Sequence, residues 1–269
     1  MSDISIIGLG VLNVDQVTYE TERAIRRSKE VLYVDTGVAT GAFLQKFCPI
    51  VTSLYASSYS ESGCRLGSYD RMAVAVIEAA LDHPPVTFAM AGHPIVGAQA
   101  PFLIHEMARL LGLEVVTLPG ISAMDCLFAE LMIDPCVGGL QMYEATDLLL
   151  RRHPLLPEVP ALIWQIGVVE TRLHTQRRSR ASRFDRFKAH VLQFYAPSHP
   201  VTAYFASQHP LMRSQKLQFP VGEIGAYAEQ LHAGFTLFIP AARVGPIVDQ
   251  DLLFKIDCAE HLNDITRWG

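Results

Sequence analysis

Short apolar runs alternate with helical patterns of apolar and polar residues along the first half of the chain. This alternation predicts a largely parallel sheet flanked by helices. Strands are predicted at 5–7, 30–35, 85–90 and 114–118, and helices at 18–28, 69–81 and 100–111. Several of these strands end in a turn that contains Gly or Pro and leads to a helix. Because ligands bind at the carboxyl edge of open α/β sheets, we expect a ligand site at these turns.

The pattern changes around residues 134–139, where Pro135 is followed by Gly138 and Gly139. Beyond this point, β-branched and aromatic runs predict a mixed sheet with helices. Strands are predicted at 161–165, 201–205 and 235–239, a basic helical stretch at 177–188, and helices at 223–232 and 249–263. The sequence therefore predicts a two-domain α/β fold, with an N-terminal domain at 1–138, a C-terminal domain at 139–240 and a helical tail at 241–269.

The composition narrows the class of protein. Half of the 269 residues are apolar and 18% are charged, which is typical of a globular protein. The net charge of -5 argues against a general nucleic-acid binder. Five cysteines without a CxxC pair predict reduced thiols and no metal site. No basic signal region begins the chain, and the longest nearly continuous apolar run, about ten residues, is too short to span a bilayer. We therefore expect a cytoplasmic protein that does not enter a membrane.

A glycine motif follows the first predicted strand. Gly8-Leu9-Gly10 resembles the start of a dinucleotide fingerprint, and Asp35, at the end of the second strand, could bind a ribose. However, Asn13 stands where the third glycine or an alanine is expected. The incomplete fingerprint leaves a nicotinamide cofactor as an alternative.

Five segments follow one another in an order that a known family shares. They are IIGLG at 6–10, TERAIRRSKEVLYVD at 21–35, GHP at 92–94, LPGISAMDCLFAEL at 118–131 and TLFIP at 236–240. Over about residues 3–240, the chain resembles the tetrapyrrole methylases, which include the corrin and porphyrin methylases and diphthine synthase. The resemblance implies that S-adenosylmethionine binds, folded, in the cleft between two α/β domains.

Within that family, the chain is most similar to the borosin branch, whose members methylate backbone amides of a peptide. The residues that carry this likeness are Leu54-Tyr55, Tyr59, Arg65-Leu66, Tyr69 and the segments 122–129, 133–135, 143–147, 164–167 and 199–201. The likeness implies a homodimer and a set of cofactor-binding residues. These residues are Gly8, Gly10, His93, Val96, Gly97, Ser122, Ala123, Gln165, Ala206 and Thr236.

The chain departs from the borosin pattern at two positions. Ala91 stands where a tyrosine usually precedes Gly-His-Pro, and Gly97 stands where an aromatic residue is usual. In relatives both positions lie near the sulfonium and the acceptor. The smaller residues therefore predict a wider pocket and leave the acceptor open.

Three residues that match the borosin pattern suggest how an amide could be activated. A peptide nitrogen is a poor nucleophile because its lone pair is delocalised into the carbonyl. Tyr59 could accept the amide proton if the nearby Arg65 lowered the pKa of its hydroxyl, or Arg65 could hold the amide oxygen. Tyr69 lies four residues after Arg65, so in a helix both point the same way, and Tyr69 would orient the first tyrosine or the acceptor. We therefore predict Tyr59, Arg65 and Tyr69 as the catalytic residues.

Several functions stay open for the chain as a whole. Only 29 residues follow the predicted second domain, without a repetitive apolar peptide, so we expect a precursor peptide supplied in trans. A small-molecule or tetrapyrrole methylase and a catalytically silent cofactor- or peptide-binding partner are the alternatives. The basic residues of 177–188 form either a solvated face or a docking surface for an acidic partner.

Overall fold

In the computed structural model, which describes residues 2–35 and 37–267, ten strands form two five-stranded sheets. The strands of the first sheet are β1 (Ile4–Gly8), β2 (Glu30–Val34), β3 (Ile50–Ser53), β4 (Val86–Met90) and β5 (Val115–Leu118). Those of the second sheet are β6 (Gln141–Glu144), β7 (Ala161–Trp164), β8 (Pro200–Phe205), β9 (Gln215–Pro220) and β10 (Thr236–Ile239). The α/β fold class with two sheets is thus confirmed.

Ten α-helices connect or follow these strands within the described residues. They are α1 (Tyr19–Arg27), α2 (Val38–Leu44), α3 (Tyr55–Ser58), α4 (Arg65–Asp82), α5 (Ala100–Leu111), α6 (Ala123–Leu131), α7 (Ala145–Arg151), α8 (Asp185–Val191), α9 (Gln250–Lys255) and α10 (Ala259–Ile265). Short 3-10 helices lie at Asn13–Gln16, Ile166–Val168, Ala181–Phe184 and Val221–Tyr227.

The first sheet is entirely parallel, in the order β3-β2-β4-β1-β5. Neighbouring residues of β1, which lies between β4 and β5, point to opposite faces. Ile6 belongs to a buried cluster with residues of α4 and α5, whereas Ile7 packs with residues of α1 and α2. Helices therefore cover both faces of this sheet, and its carboxyl edge, where β1, β4 and β5 end, is left to the loops.

The second sheet is mixed, in the order β6-β7-β10-β8-β9, and only β6 and β7 are parallel. On one face, Ile163 packs in a cluster with residues of α7 and α8. On the other face, Leu162 and Tyr204 pack with Leu127 and Phe128 of α6. Because α6 follows the last strand of the first sheet, this cluster joins the two halves of the chain.

The predicted strands of both halves are confirmed within a few residues, as are α1, α4 and α5. Three helix predictions are wrong. The stretch 223–232 begins inside a 3-10 helix, Val221–Tyr227, and then continues as turns and irregular structure, so it contains no α-helix. The basic stretch is helical only from Ala181 onward, and the tail forms two short helices that are separated at Asp257 and Cys258.

The elements that the sequence did not predict are short. They include α2, β3, β6, α7 and β9, each of seven residues or fewer. β6 begins at Gln141, close to the predicted domain boundary, which stays a prediction. Within residues 2–35 and 37–267, no helix is long and apolar enough to cross a membrane.

Candidate active site

Four glycines from three turns meet at the carboxyl edge of the first sheet. A Cβ on Gly8 would lie 2.4 Å from the carbonyl oxygen of Gly92 and 2.8 Å from the Cα of Gly120. Gly10 has φ +76 and pairs with Gly92 through backbone hydrogen bonds in both directions, of 3.3 and 2.9 Å. Only residues without a side chain allow three turns to approach so closely.

A cavity of about 380 Å³ lies next to these turns, between the two sheets. We call it the Gly92 cavity. From the first half of the chain it is lined by Val11, Ala91, Gly92, His93, Val96, Gly97, Ser122 and Ala123. From the second half it is lined by Glu144, Trp164, Gln165, Phe205, Ala206, Gln208, Ala233, Gly234, Phe235 and Thr236.

The Gly92 cavity thus brings together most of the residues that the resemblance assigned to the cofactor. These are His93, Val96, Gly97, Ser122, Ala123, Gln165, Ala206 and Thr236. Gly8 and Gly10 are not among its lining residues, so their part in cofactor binding stays a prediction. They lie behind Gly92 and hold its turn in place.

Ser122 both lines the Gly92 cavity and caps the N-terminus of α6. Its hydroxyl accepts hydrogen bonds from the backbone N–H of Met124 at 3.0 Å and of Asp125 at 3.3 Å. The Asp125 carboxylate in turn accepts from the N–H of Ser122 at 2.6 Å. This capping box fixes the start of α6 at the edge of the cavity.

A second cavity, of about 370 Å³, adjoins the first. We call it the Arg65 cavity. Its lining comprises Arg65, Leu66, Tyr69, Ile95, Gly97, Ala98, Gln99, Phe102, Glu144, Thr146, Asp147, Leu150, Gln165 and Arg172. Gly97, Glu144 and Gln165 line both cavities, so the two spaces meet at these residues.

Parallel pairing places Glu144 and Gln165 side by side. β6 and β7 run in register, with Glu144 opposite Trp164, and Gln165 follows directly. Glu144 Oε2 accepts a hydrogen bond from the N–H of Asp147 at 2.7 Å and thereby caps α7. Glu144 Oε1 is buried, and no donor from residues 2–35 or 37–267 reaches it.

Arg65 and Tyr69 lie on the first turns of α4 and line the same cavity, as the helical spacing predicts. The Arg65 guanidinium donates to Gln165 Oε1 at 2.7 Å and to the carbonyl oxygen of Thr171 at 2.9 Å. Its backbone N–H donates to the carbonyl oxygen of Arg172 at 3.0 Å. The arginine therefore bridges the start of α4 to the end of β7.

Tyr59 has a different environment from the one predicted. It is half-buried, its ring lies 4.8 Å from that of His174 and 5.1 Å from that of Tyr55, and it lines neither cavity. Burial raises the pKa of the Tyr59 hydroxyl above its ordinary value, the neighbouring Tyr69 raises it further, and Arg65 only partly opposes this. The expectation that Arg65 gives Tyr59 a lowered pKa is therefore wrong.

The two departures from the borosin pattern have different structural settings. Ala91 lines the Gly92 cavity. Gly97 has φ +68, a left-handed conformation that disfavours other residues, and a Cβ there would lie 3.8 Å from Gln165 Nε2. The backbone at position 97 therefore favours glycine where the two cavities meet.

The basic stretch is largely neutralised by carboxylates of the same chain. Arg177 pairs with Glu61, Arg178 with Glu229, and Arg186 with Glu170, at 3.1 to 3.4 Å. Arg183 donates instead to the carbonyl oxygen of Gly167 at 3.0 Å. These contacts favour the interpretation of a solvated face over that of a docking surface for an acidic partner.

Sequence reasoning gave no role to Glu144, although its segment 143–147 carried part of the borosin resemblance. The available signal was its place at the end of a short strand that pairs in parallel with the strand leading to Gln165. The strand β6 is only four residues long and was not predicted, so this signal could not be used.

Comparison with known proteins agrees with this architecture. The family model of the Tetrapyrrole (Corrin/Porphyrin) Methylases matches residues 3–200. The chain belongs to the tetrapyrrole methylase family. Tetrapyrrole methylases are S-adenosylmethionine-dependent methyltransferases, and the chain has their fold.

Curated relatives are named as both a methyltransferase and a ribosomally synthesized cyclic peptide precursor. The type I borosin precursor protein of Serendipita vermifera subsp. bescii is 28% identical over 94% of this chain and 62% of its own length. The gymnopeptides precursor protein of Gymnopus fusipes is 30% identical over 77% of this chain and 49% of its own length. The chain thus spans less than two thirds of these relatives.

Solved structures of tetrapyrrole methylases share the fold. The methyltransferase CobJ has a TM-score of 0.65 and 18% identity, and the match covers 91% of this chain and 98% of CobJ. The uroporphyrin-III C-methyltransferase of Thermus thermophilus, in complex with S-adenosyl homocysteine, has a TM-score of 0.61 and 14% identity, with coverage of 88% and 96%. At these identities the likeness concerns the fold alone.

Proposed function

We propose that this tetrapyrrole methylase transfers methyl groups from S-adenosylmethionine to backbone amides of a ribosomally made precursor peptide. The observation that carries the proposal is the junction of two cavities of similar volume at Gly97, Glu144 and Gln165. A methyl donor in one cavity and an acceptor in the other would meet there.

The residues of the Gly92 cavity suit S-adenosylmethionine. Its volume of about 380 Å³ falls in the range of small-molecule sites. Apolar walls such as Val96, Ala206 and Phe235 suit an adenine ring, while His93, Gln165 and Thr236 supply hydrogen-bonding groups. S-adenosylmethionine supplies an electrophilic methyl group when it is bound.

The residues of the Arg65 cavity suit an amide acceptor. The planar Arg65 fork can donate to the amide oxygen as negative charge develops there. Tyr69 on the next turn can orient the peptide, and apolar Leu66, Ile95 and Phe102 can hold its side chains. We propose that Tyr59 supports the position of Tyr69 and is not the base, because the raised pKa of Tyr59 keeps its hydroxyl a neutral phenol.

The assignment of a peptide acceptor draws on the relatives. Those that match over most of this chain are named as both methyltransferase and cyclic peptide precursor. We propose the same substrate class here, with the peptide supplied by a separate chain. Supply in trans stays a prediction that is tested below.

We further propose a homodimer in which the tail, residues 241–267, packs on a second copy. None of the residues of α9 or α10 is buried. Apolar side chains of this tail are largely exposed, including Val244 at 95%, Val248 at 86% and Phe254 at 83%. Exposed apolar surface of this kind marks protein interfaces. We also propose that residues 1–240 divide into two domains near Gly138.

The test compares two acceptor classes by the release of S-adenosylhomocysteine. One arm contains blocked peptides made only of Val, Ile, Ala and Gly, either free or fused to the carboxyl end of the chain. The other arm contains reduced uroporphyrin III.

Turnover with free peptide supports the proposal in full, and turnover with the fused form alone contradicts supply in trans. Turnover only with the tetrapyrrole contradicts the peptide assignment, and cofactor binding without turnover in any arm indicates a silent partner.

A further inference from the structure

One buried carboxylate oxygen, on a residue that lines both cavities, has no hydrogen-bond partner in the described part of the chain. Glu144 Oε1 is inaccessible to solvent, and no donor from residues 2–35 or 37–267 reaches it. A buried polar atom without a hydrogen bond destabilises the folded state, and more so when the atom is charged. Such an atom in a cavity wall therefore indicates a donor that arrives with a ligand.

The same side chain is held firmly at its other oxygen. Glu144 Oε2 accepts from the Asp147 N–H at 2.7 Å, at the start of α7. The pairing of β6 with β7 fixes the backbone of Glu144 beside that of Gln165. One oxygen thus anchors the carboxylate, and the other has no donor among the described residues, on a side chain that lines both cavities.

The chemistry of amide methylation needs a proton acceptor at such a place. Tyr59, the residue predicted for this role, lines neither cavity. Arg65 and Arg172 line the Arg65 cavity but are cations that only donate. Asp147 also lines it, but its carboxylate is engaged by Arg151 Nε at 2.9 Å.

We propose that Glu144 is a catalytic residue that accepts the amide proton of the acceptor during methyl transfer. This inference rests on the proposed function. The acceptor nitrogen forms its bond to the methyl carbon while the carbon–sulfur bond of the donor breaks, and the electron pair of that bond stays on sulfur. The N–H proton passes to Glu144 Oε1 and leaves its electron pair on nitrogen, so that the methylated amide is neutral.

The arrangement also explains why a carboxylate is placed here. Transfer of the proton in the same step avoids a positively charged amide nitrogen. Such a nitrogen is unstable because it has no lone pair left to delocalise into the carbonyl. The Arg65 guanidinium, which lines the same cavity, would donate to the oxygen of the same amide. Proton acceptor and oxygen donor would therefore act on one peptide group.

The test is the variant Glu144→Gln, which keeps the shape of the side chain and an oxygen that can cap α7. Its matched control is Glu229→Gln, the same change at an exposed residue that pairs with Arg178 at 3.4 Å. Methylation of the blocked Val, Ile, Ala and Gly peptides is measured in single turnovers, and the affinities for S-adenosylmethionine and S-adenosylhomocysteine are measured by calorimetry. Loss of a general base typically costs about 10²–10⁴ in rate.

We expect Glu144→Gln to lose at least about a hundredfold in rate while both affinities and the melting temperature match the control. Glu144→Asp, which retains a carboxylate, should recover part of the rate. If Glu144→Gln fails to fold, Glu144→Ser retains a capping side chain and should show the same loss.

A rate within a few-fold of the wild type overturns the inference but leaves the proposed function standing. A selective loss of S-adenosylmethionine affinity also overturns it, because the carboxylate then binds the sulfonium. If the wild type methylates no peptide, the proposed function fails and the inference falls with it.

Discussion

At the residue scale, the site depends on a few side chains that connect the two halves of the chain. Arg65 on α4 bonds to Gln165 after β7, and Glu144 lies beside Gln165 at the junction of the cavities. Arg65 and Gln165 are a hundred residues apart in the sequence, so their contact joins distant elements. Substitutions at this scale should therefore change methyl transfer more than folding.

Arg65→Lys retains the charge but loses the planar fork that reaches two acceptors at once. We expect the rate of methyl transfer to fall about 10²-fold, in line with the loss of one donor to a developing oxyanion. The affinity for the cofactor should change little. The control is Arg109→Lys on the exposed face of α5, and equal rates in the two variants would contradict the role of the fork.

Tyr59→Phe tests what the buried hydroxyl does. Its raised pKa means that the folded protein holds a neutral phenol across the range from about pH 7 to 9. We therefore expect wild type and variant to have pH–rate profiles of the same shape over this range, with a modest loss of rate from altered support of Tyr69. A limb that rises with pH in the wild type and is absent from Tyr59→Phe would restore the tyrosine as the base.

At the element scale, the sequence predicted the elements whose pattern is long and regular. α5 was predicted at its observed bounds, and β1, β4 and β5 alternate with helices as their apolar runs indicate. β3 and β6 escaped because only two of the four residues in each are apolar, whereas the equally short β5, β7 and β10 have at least three. The stretch 223–232 failed because Gly225 is its third residue, and glycine there weakens the first turn of an α-helix.

The candidate site was predictable to a similar degree. Turns at the carboxyl edge of the parallel sheet placed His93, Ser122 and Ala123 correctly beside one cavity. Two features depended on tertiary contacts that the sequence does not reveal. One is the burial that raises the pKa of Tyr59, and the other is the unpartnered oxygen of Glu144.

Ser122→Ala tests the capping box at the edge of the Gly92 cavity. The variant leaves the N–H groups of Met124 and Asp125 without their acceptor. We expect the free energy of unfolding to fall by about 1 kcal/mol without the cofactor. The measurement is chemical denaturation with and without S-adenosylmethionine. An unchanged stability without the cofactor would contradict the capping role, and a larger loss with it would show that Ser122 also binds the cofactor.

At the scale of the whole molecule, the two sheets form a body with a site between them, and α6 packs across to the second sheet. The tail adds an apolar surface that this body does not cover. The fold alone is shared with corrin and porphyrin methylases, so the acceptor is decided by the site and not by the architecture.

Phe254→Glu tests the proposed dimer, because Phe254 is 83% exposed in the single chain. A charge on a side chain that is buried between copies should favour the monomer. We expect light scattering after size-exclusion chromatography to give a dimer for the wild type and a smaller mass for the variant. Gln45→Glu adds the same charge at an exposed polar position outside the tail and should stay dimeric. A wild type that is monomeric at all concentrations would refute the dimer.

The most direct test of the account is to locate the transferred methyl group. The chain is incubated with S-adenosylmethionine that carries a deuterated methyl group and with blocked peptides of Val, Ile, Ala and Gly, whose side chains contain no nucleophile. Tandem mass spectrometry then assigns the label to an atom. The account predicts labelled methyl groups on backbone nitrogens of the peptide. An unlabelled peptide, when the chain transfers the label to reduced uroporphyrin III in a parallel sample, would contradict it.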